Sequence, residues 1–132
     1  MKFSLELSHG NYSIRSYGPG QINISALSSV SEETLTQSCI ILPDRILRDW
    51  PPQNFADLRA EHFASLLEIR PELVVLGTGD RLRFPAPALT ASLLEQGIGV
   101  EVMNTGAACR TYNILMNEDR RVAAALLMIP MS

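Results

Sequence analysis

A chain of 132 residues, 46% hydrophobic and 19% charged, is long enough for one domain with a sizeable core and too apolar for disorder along its length. The formal charge is −3 and Lys2 is the only lysine; a protein that tracks a phosphate backbone needs clustered positive charge, so this balance argues against nucleic acid as a partner. No apolar run approaches the ~20 residues of a membrane-crossing helix, and the opening MKFSLELSHGNYSIRS lacks the apolar centre and cleavage site of a secretory signal, so the chain is expected to be cytoplasmic and not membrane-embedded.

In chain order, NYSIRSYGPGQINISA (residues 11–26) alternates apolar and polar positions about Gly18-Pro19-Gly20, the pattern of a β-hairpin. Glu32 and Glu33, after Ser31, read as a helix start or a loop. Near residue 36 the character changes. Residues 1–35 form a hairpin appendage and 36–130 an alternating strand/helix core, both within one domain spanning 1–132. SCIILP (38–43) is a continuous apolar run, as in a strand covered on both faces. Trp50, the sole tryptophan, stands beside two prolines in RDWPPQNF and reads as a loop anchor or, alternatively, a partner-binding hot spot. Residues 55–69 carry Ala56, Ala60, Phe63 and Leu67 at helical spacing.

ELVVLG (72–77) is a second buried strand. A helix over about 86–96 groups Leu89, Leu93 and Leu94 and stops near Gly97. IGVEVM (98–103) is a third strand, Thr105 to Met116 a helix, NEDRR a solvated turn, and RVAAALLMI (121–129) a last strand. Strand and helix in alternation define an α/β layered fold with a largely parallel sheet.

In such folds ligands bind beyond the carboxyl ends of the strands. Three loops qualify by position: Pro43-Asp44-Arg45, then Gly77-Thr78-Gly79-Asp80-Arg81, then Asn104-Thr105-Gly106. The second is neither a dinucleotide fingerprint nor a P-loop, since Leu82 occupies the place of the third glycine and Leu82, Arg83 and Phe84 replace Gly-Lys-Ser/Thr. It reads first as a strand-ending turn, and otherwise as an anion contact through exposed amides and Arg81 or Arg83. Asn104 or Thr105 can cap the next helix, whose free amides with Arg110 and Asn113, on the polar side with Gly106, form a second anion candidate.

Cys109 belongs to an apolar stripe with Thr105, Ala108, Tyr112, Leu115 and Met116 and is read as packed, with neither His9 nor His62 placed as its base. Cys39 and Cys109 match no CxxC pattern and are read as reduced thiols. No His/Cys/Asp/Glu cluster has metal-ligand spacing, and neither a metal nor a cofactor is expected.

Trp50, ELVVLGTGDR, GIGVEVMNTGAACRTYNIL, and Glu118 with RVAAALLMIP together resemble a family of small uncharacterised bacterial and archaeal proteins. A mitochondrial relative in that family is an assembly factor for respiratory complex I. The resemblance spans residues 37 to 130. It implies a three-layer α/β arrangement around a mixed sheet with extra β structure, at least one antiparallel strand, and protein partners; no catalytic residues carry over. The leading expectation is therefore a non-enzymatic assembly or scaffold protein. The alternative is a small-ligand or anion binder, and even an enzyme, whose cleft gathers Asp80, Arg81, Asn104 and Arg110. Self-association through an edge strand of the hairpin is a third expectation.

Overall fold

Side-chain alternation decides the layering. The computed structural model describes residues 11–26 and 31–131, so Lys2 and His9 lie outside the described residues. The central strands β4 (Cys39–Leu42), β6 (Leu73–Thr78) and β8 (Val122–Leu127) are buried on both faces. Cys39, Ile41, Val75, Val122, Ala124 and Leu126 belong to one core, and Ile40, Leu42, Val74, Leu76, Ala123, Ala125 and Leu127 to the other, as the two-residue period of a strand requires. The first core is closed by helix α3 (Thr105–Asn117) and a small sheet of β1 (Tyr12–Gly18), β2 (Gln21–Ala26) and β3 (Glu33–Leu35). The second is closed by the short helix α1 (Ala60–Ala64) and by α2 (Pro87–Glu95), with Phe63, Leu66 and Leu93 fully buried. Three layers result.

The main sheet runs β5-β4-β8-β6-β7, with β5 at Arg45–Leu47 and β7 at Gly99–Met103. It is mixed, as expected: β6 pairs in parallel with β7 and β8, whereas β4 is antiparallel to both β5 and β8. This orientation corrects the expected convergence of three loops. Because β4 runs backwards, Pro43-Asp44-Arg45 is the β4–β5 turn at the amino end of β8, where Arg121 Nη1 donates to Asp44 Oδ1 at 2.6 Å. Only the other two loops share the carboxyl edge.

Residues 55–69 form no continuous helix. A 3-10 turn (Phe55–Asp57), α1 and a second 3-10 turn (Ser65–Glu68) follow one another. Side chains interrupt the ladder: Asp57 Oδ2 accepts from the amides of Gln53 and Asn54 at 3.2 and 3.3 Å, and His62 Nδ1 accepts from Arg59 N at 3.0 Å. The buried positions are accordingly Leu58, Phe63 and Leu66, while Ala56 and Ala60 are exposed. Glu33, expected in a helix start or loop, opens strand β3 and is ion-paired with Arg48 at 2.6 Å. α2 does end at Gly97 (φ +80), where Ile98 N closes back onto Leu93 O at 2.9 Å, but Leu94 is 57% exposed rather than grouped with Leu93.

The hairpin is fixed by the helix it covers. Asn113 of α3 mimics a strand: its Oδ1 accepts from Ile14 N at 2.9 Å and its Nδ2 donates to Ile14 O at 2.8 Å, at the point where β1 carries a register shift. Tyr112 Oη donates to Tyr12 O at 2.7 Å and Tyr12 N to Pro43 O at 2.9 Å, so this edge of β1 is in part occupied. Removing both contacts at Ile14 with Asn113→Ala should lower stability by about 1–3 kcal/mol in urea unfolding. A change within 0.3 kcal/mol of zero (about the scatter of such experiments) would mean that water replaces the amide.

Candidate functional site

The parallel strands β6, β7 and β8 end together, Gly77 opposite Met103 and Thr78 opposite Leu127, and α3 starts immediately above them. The backbone must approach closely here. A Cβ on Gly77 would lie 2.9 Å from Thr105 Oγ1 and 3.0 Å from both Thr105 Cα and Leu126 Cδ2, so only glycine fits. Thr105 uses that space: its hydroxyl donates to Leu127 O at 2.6 Å and accepts from Gly79 N at 2.8 Å, while its own amide donates to Gly79 O at 2.8 Å. Gly79, at φ +98, turns the chain out of the sheet. The Thr78 hydroxyl then pins the loop, reaching Arg81 O at 2.6 Å and accepting from Arg83 N at 3.2 Å.

These contacts occupy much of the anion site expected at the start of α3. Asn104 Oδ1 accepts from Ala107 N at 2.8 Å, Asn104 O accepts from Ala108 N at 2.9 Å, and Thr105 N is bound to Gly79. Gly106 lies beneath the ring of Tyr17, where a Cβ would come within 2.9 Å of Cε1. Arg110 donates to the Tyr17 hydroxyl and sits 6.0 Å from the centre of its ring, and Asn113 is engaged by Ile14. The polar side of α3 thus receives the hairpin. Trp50 is 3% exposed, its Nε1 3.3 Å from His62 O and its ring edge-on to Phe63, the place of a loop anchor.

A cleft of about 360 Å³ does open at the carboxyl edge, with a different lining. Thr78, Gly79, Asp80 and Arg83 form one wall, residues 128–131 with Gly20 another, and Thr36, Gln53 and Asn54 the rest; Arg81, Asn104 and Arg110 are absent from it. The hairpin turn reaches this edge because Gly20 N donates to Ile129 O at 2.7 Å and Pro19 bridges Ile129 in parallel. Sequence reasoning missed Gln53, Asn54 and residues 128–131, since nothing in Gly-Pro-Gly says where the turn docks. A second cleft of similar volume, among Leu67, Arg70, Pro71, Gln96 and Ile98, lies at the opposite edge, away from both convergent loops.

Cys39 and Cys109 are free and buried. Burial pushes both thiols up to about 12, helped at Cys39 by the neighbouring Cys109 and opposed at Cys109 by the charge of Arg110. A thiol of this kind is protonated at neutral pH and a poor nucleophile. Among the described residues, no three His, Cys, Asp or Glu side chains gather as a metal site, and no helix is long and apolar enough to cross a membrane.

A mixed sheet between a helical layer and a layer shared by one helix and a three-stranded sheet defines an α/β protein, with the GTG turn beneath α3 at the carboxyl edge of the sheet. Residues 14–127 match the family described as protein of unknown function (DUF498/DUF598), and the chain belongs to that family. It is 38% identical over 94 residues to NADH dehydrogenase (ubiquinone) 1 alpha subcomplex assembly factor 3 of Bos taurus, which covers 70% of this chain and 50% of the relative. The chain therefore spans about half the length of that relative. Among solved structures, a Bordetella parapertussis protein superposes with a TM-score of 0.80 at 34% identity, over 92% of this chain and 98% of the other. A Bordetella pertussis protein described as a Mth938-like domain superposes with a TM-score of 0.76 at 30% identity, over 100% of this chain and 95% of the other.

Two outcomes follow from this geometry. Thr105→Val leaves Gly79 N and Leu127 O unpaired and should cost about 2–4 kcal/mol in urea unfolding, whereas Thr105→Ser, which keeps the hydroxyl, should cost about 1 kcal/mol; equal losses would remove the hydrogen bonds as the cause. The raised thiols give a pH dependence of definite sign. The folded state holds these protons above the ordinary value of 9.0, so their contribution is complete below pH 9 and is lost as pH rises towards 12. Each thiol should withdraw up to about 1.4 kcal/mol per pH unit in that window, and the slope should shrink in a Cys39→Ala/Cys109→Ala chain.

Proposed function

We propose that this chain is a non-enzymatic assembly or scaffold protein that holds a protein partner, and that the carboxyl edge of its main sheet is the surface it uses. The observation that carries this reading is the pinned loop after β6: Leu82 is 51% exposed and Phe84 72% exposed, on a backbone held by Thr78. Large apolar side chains displayed by a rigid element cost little entropy to bury and are characteristic anchors of interfaces. The assembly role in the name of the bovine relative supports the same reading, and with it a link to the building of a respiratory complex. We place the chain in the cytoplasm, where Cys39 and Cys109 stay reduced.

Affinity capture of the tagged chain from its own extract should recover a stable protein partner, and Leu82→Asp/Phe84→Asp, two changes at exposed positions, should release it. Repeated recovery of the free chain alone would end this reading.

The cleft favours a second reading, a small-ligand binder with Asp80 and Arg83 as the charged groups of its wall. Such a ligand at 100-fold excess over its dissociation constant should stabilise the fold by ~2.7 kcal/mol in a thermal-shift panel, and Arg83→Ala should abolish the response.

A further inference from the structure

We infer that the partner held at this edge presents an acidic segment bearing a large apolar side chain, recognised by Arg81 and Arg83 as charge and by Leu82, Phe84 and the adjoining cleft as an apolar anchor. The inference rests on the protein-partner reading above and adds the chemistry of the partner.

Its first support is charge. Arg48, Arg120 and Arg121 are each paired with a carboxylate, and Arg110 is occupied by Tyr17. Arg81 has neither a hydrogen bond from its side chain nor an ion pair among the described residues, and the guanidinium of Arg83 has no carboxylate but lies 5.6 Å from the ring centre of Phe55; Arg45, Arg59 and Arg70 likewise have no ion pair there, but only Arg81 and Arg83 stand two residues apart in one loop. With Asp80 as the only acid between residues 79 and 86, the loop carries a local positive surplus on a chain of formal charge −3. Unpaired guanidinium groups on a held backbone are forks awaiting carboxylates.

The second support is shape. Leu82 and Phe84 flank Arg83 in sequence, and Arg83 also lines the cleft of about 360 Å³, whose opposite wall includes Met131, 75% exposed. Positive charge, displayed apolar groups and a concavity of side-chain size therefore adjoin. A flat anionic membrane would not enter a cleft, and two arginines fall short of the four to eight basic residues that typically hold a surface to such lipids. A symmetric contact between two copies would set this positive loop against itself. An acidic, partly apolar protein segment satisfies charge and shape together.

The test is photocrosslinking of the full chain in its own cells, with p-benzoylphenylalanine introduced at position 84 or, separately, at Ile114, which is 59% exposed on α3. The position-84 chain should give one discrete protein adduct. Mass spectrometry should map it to a segment rich in Asp and Glu, and Arg81→Glu/Arg83→Glu should reduce it roughly tenfold while leaving the thermal unfolding midpoint in place. Mapping to a basic or neutral segment, to lipid or to a second copy overturns the inference, as does an adduct unchanged by the double reversal. A protein captured from position 114 with none from 84 sinks this surface, here and in the proposed function, while leaving the reading that the chain holds a protein partner. Capture from neither position sinks both.

Discussion

One hydroxyl group organises the molecule. Thr105 joins the last residue of β8, the first residue beyond β6 and the first turn of α3 through its bonds to Leu127 O and Gly79 N. It can do so only because Gly77 has no Cβ to fill the place it occupies. Buried polar groups in such a position are stabilising when every partner is satisfied and destabilising otherwise, so the hydroxyl of Thr105, the missing Cβ of Gly77 and the positive φ of Gly79 work as one unit. The Gly-Thr-Gly sequence therefore serves the joint between layers, and the displayed chemistry begins one residue later, at Asp80 and Arg81. The second threonine, Thr78, transmits the order of the joint into the loop by holding Arg81 O and Arg83 N.

α3 faces two ways. Its apolar stripe of Ala108, Cys109, Tyr112 and Met116 closes the core over β6 and β8, while Gly106, Arg110 and Asn113 receive the hairpin. That second contact adds polar bonds to the apolar packing of Ile14, Ile22 and Ile24 in the same core. The aromatic ring of Tyr17 is admitted by a glycine and topped by a guanidinium, and the backbone of Ile14 is matched atom for atom by an amide side chain. Specificity of docking, more than apolar area, is what such pairs provide. The thiol of Cys109, between the two roles, is silenced by burial.

Much of this architecture was legible in the sequence. The continuous apolar runs at 38–43, 72–77 and 121–129 identified the strands buried on both faces, and Gly18-Pro19-Gly20 marked the hairpin turn. Gly97 as the stop of α2 followed from backbone chemistry alone, and the cap of α3, left between Asn104 and Thr105, is Asn104. What escaped depended on tertiary context. β3 and β5 are three residues each, too short to show a period. The direction of β4 is decided by pairing with β8, which no local pattern encodes. The 55–69 segment kept helical spacing, yet Asp57 and His62 capped it into pieces. Near the candidate site, Asp80 lines a cleft other than the one expected between the GTGDR loop and the NTG helix start, and Arg110 and Asn113 face a layer whose placement the sequence did not reveal.

The order of strands in space also governs how the molecule is made. β8 lies between β4 and β6, although both of those strands leave the ribosome before it. The nascent chain must therefore carry the runs Cys-Ile-Ile-Leu and Leu-Val-Val-Leu with open hydrogen-bonding edges until Val122–Leu127 emerges to wedge between them. The pairing that completes the main sheet is therefore long-range in sequence and has to wait for β8, the kind of contact that slows folding.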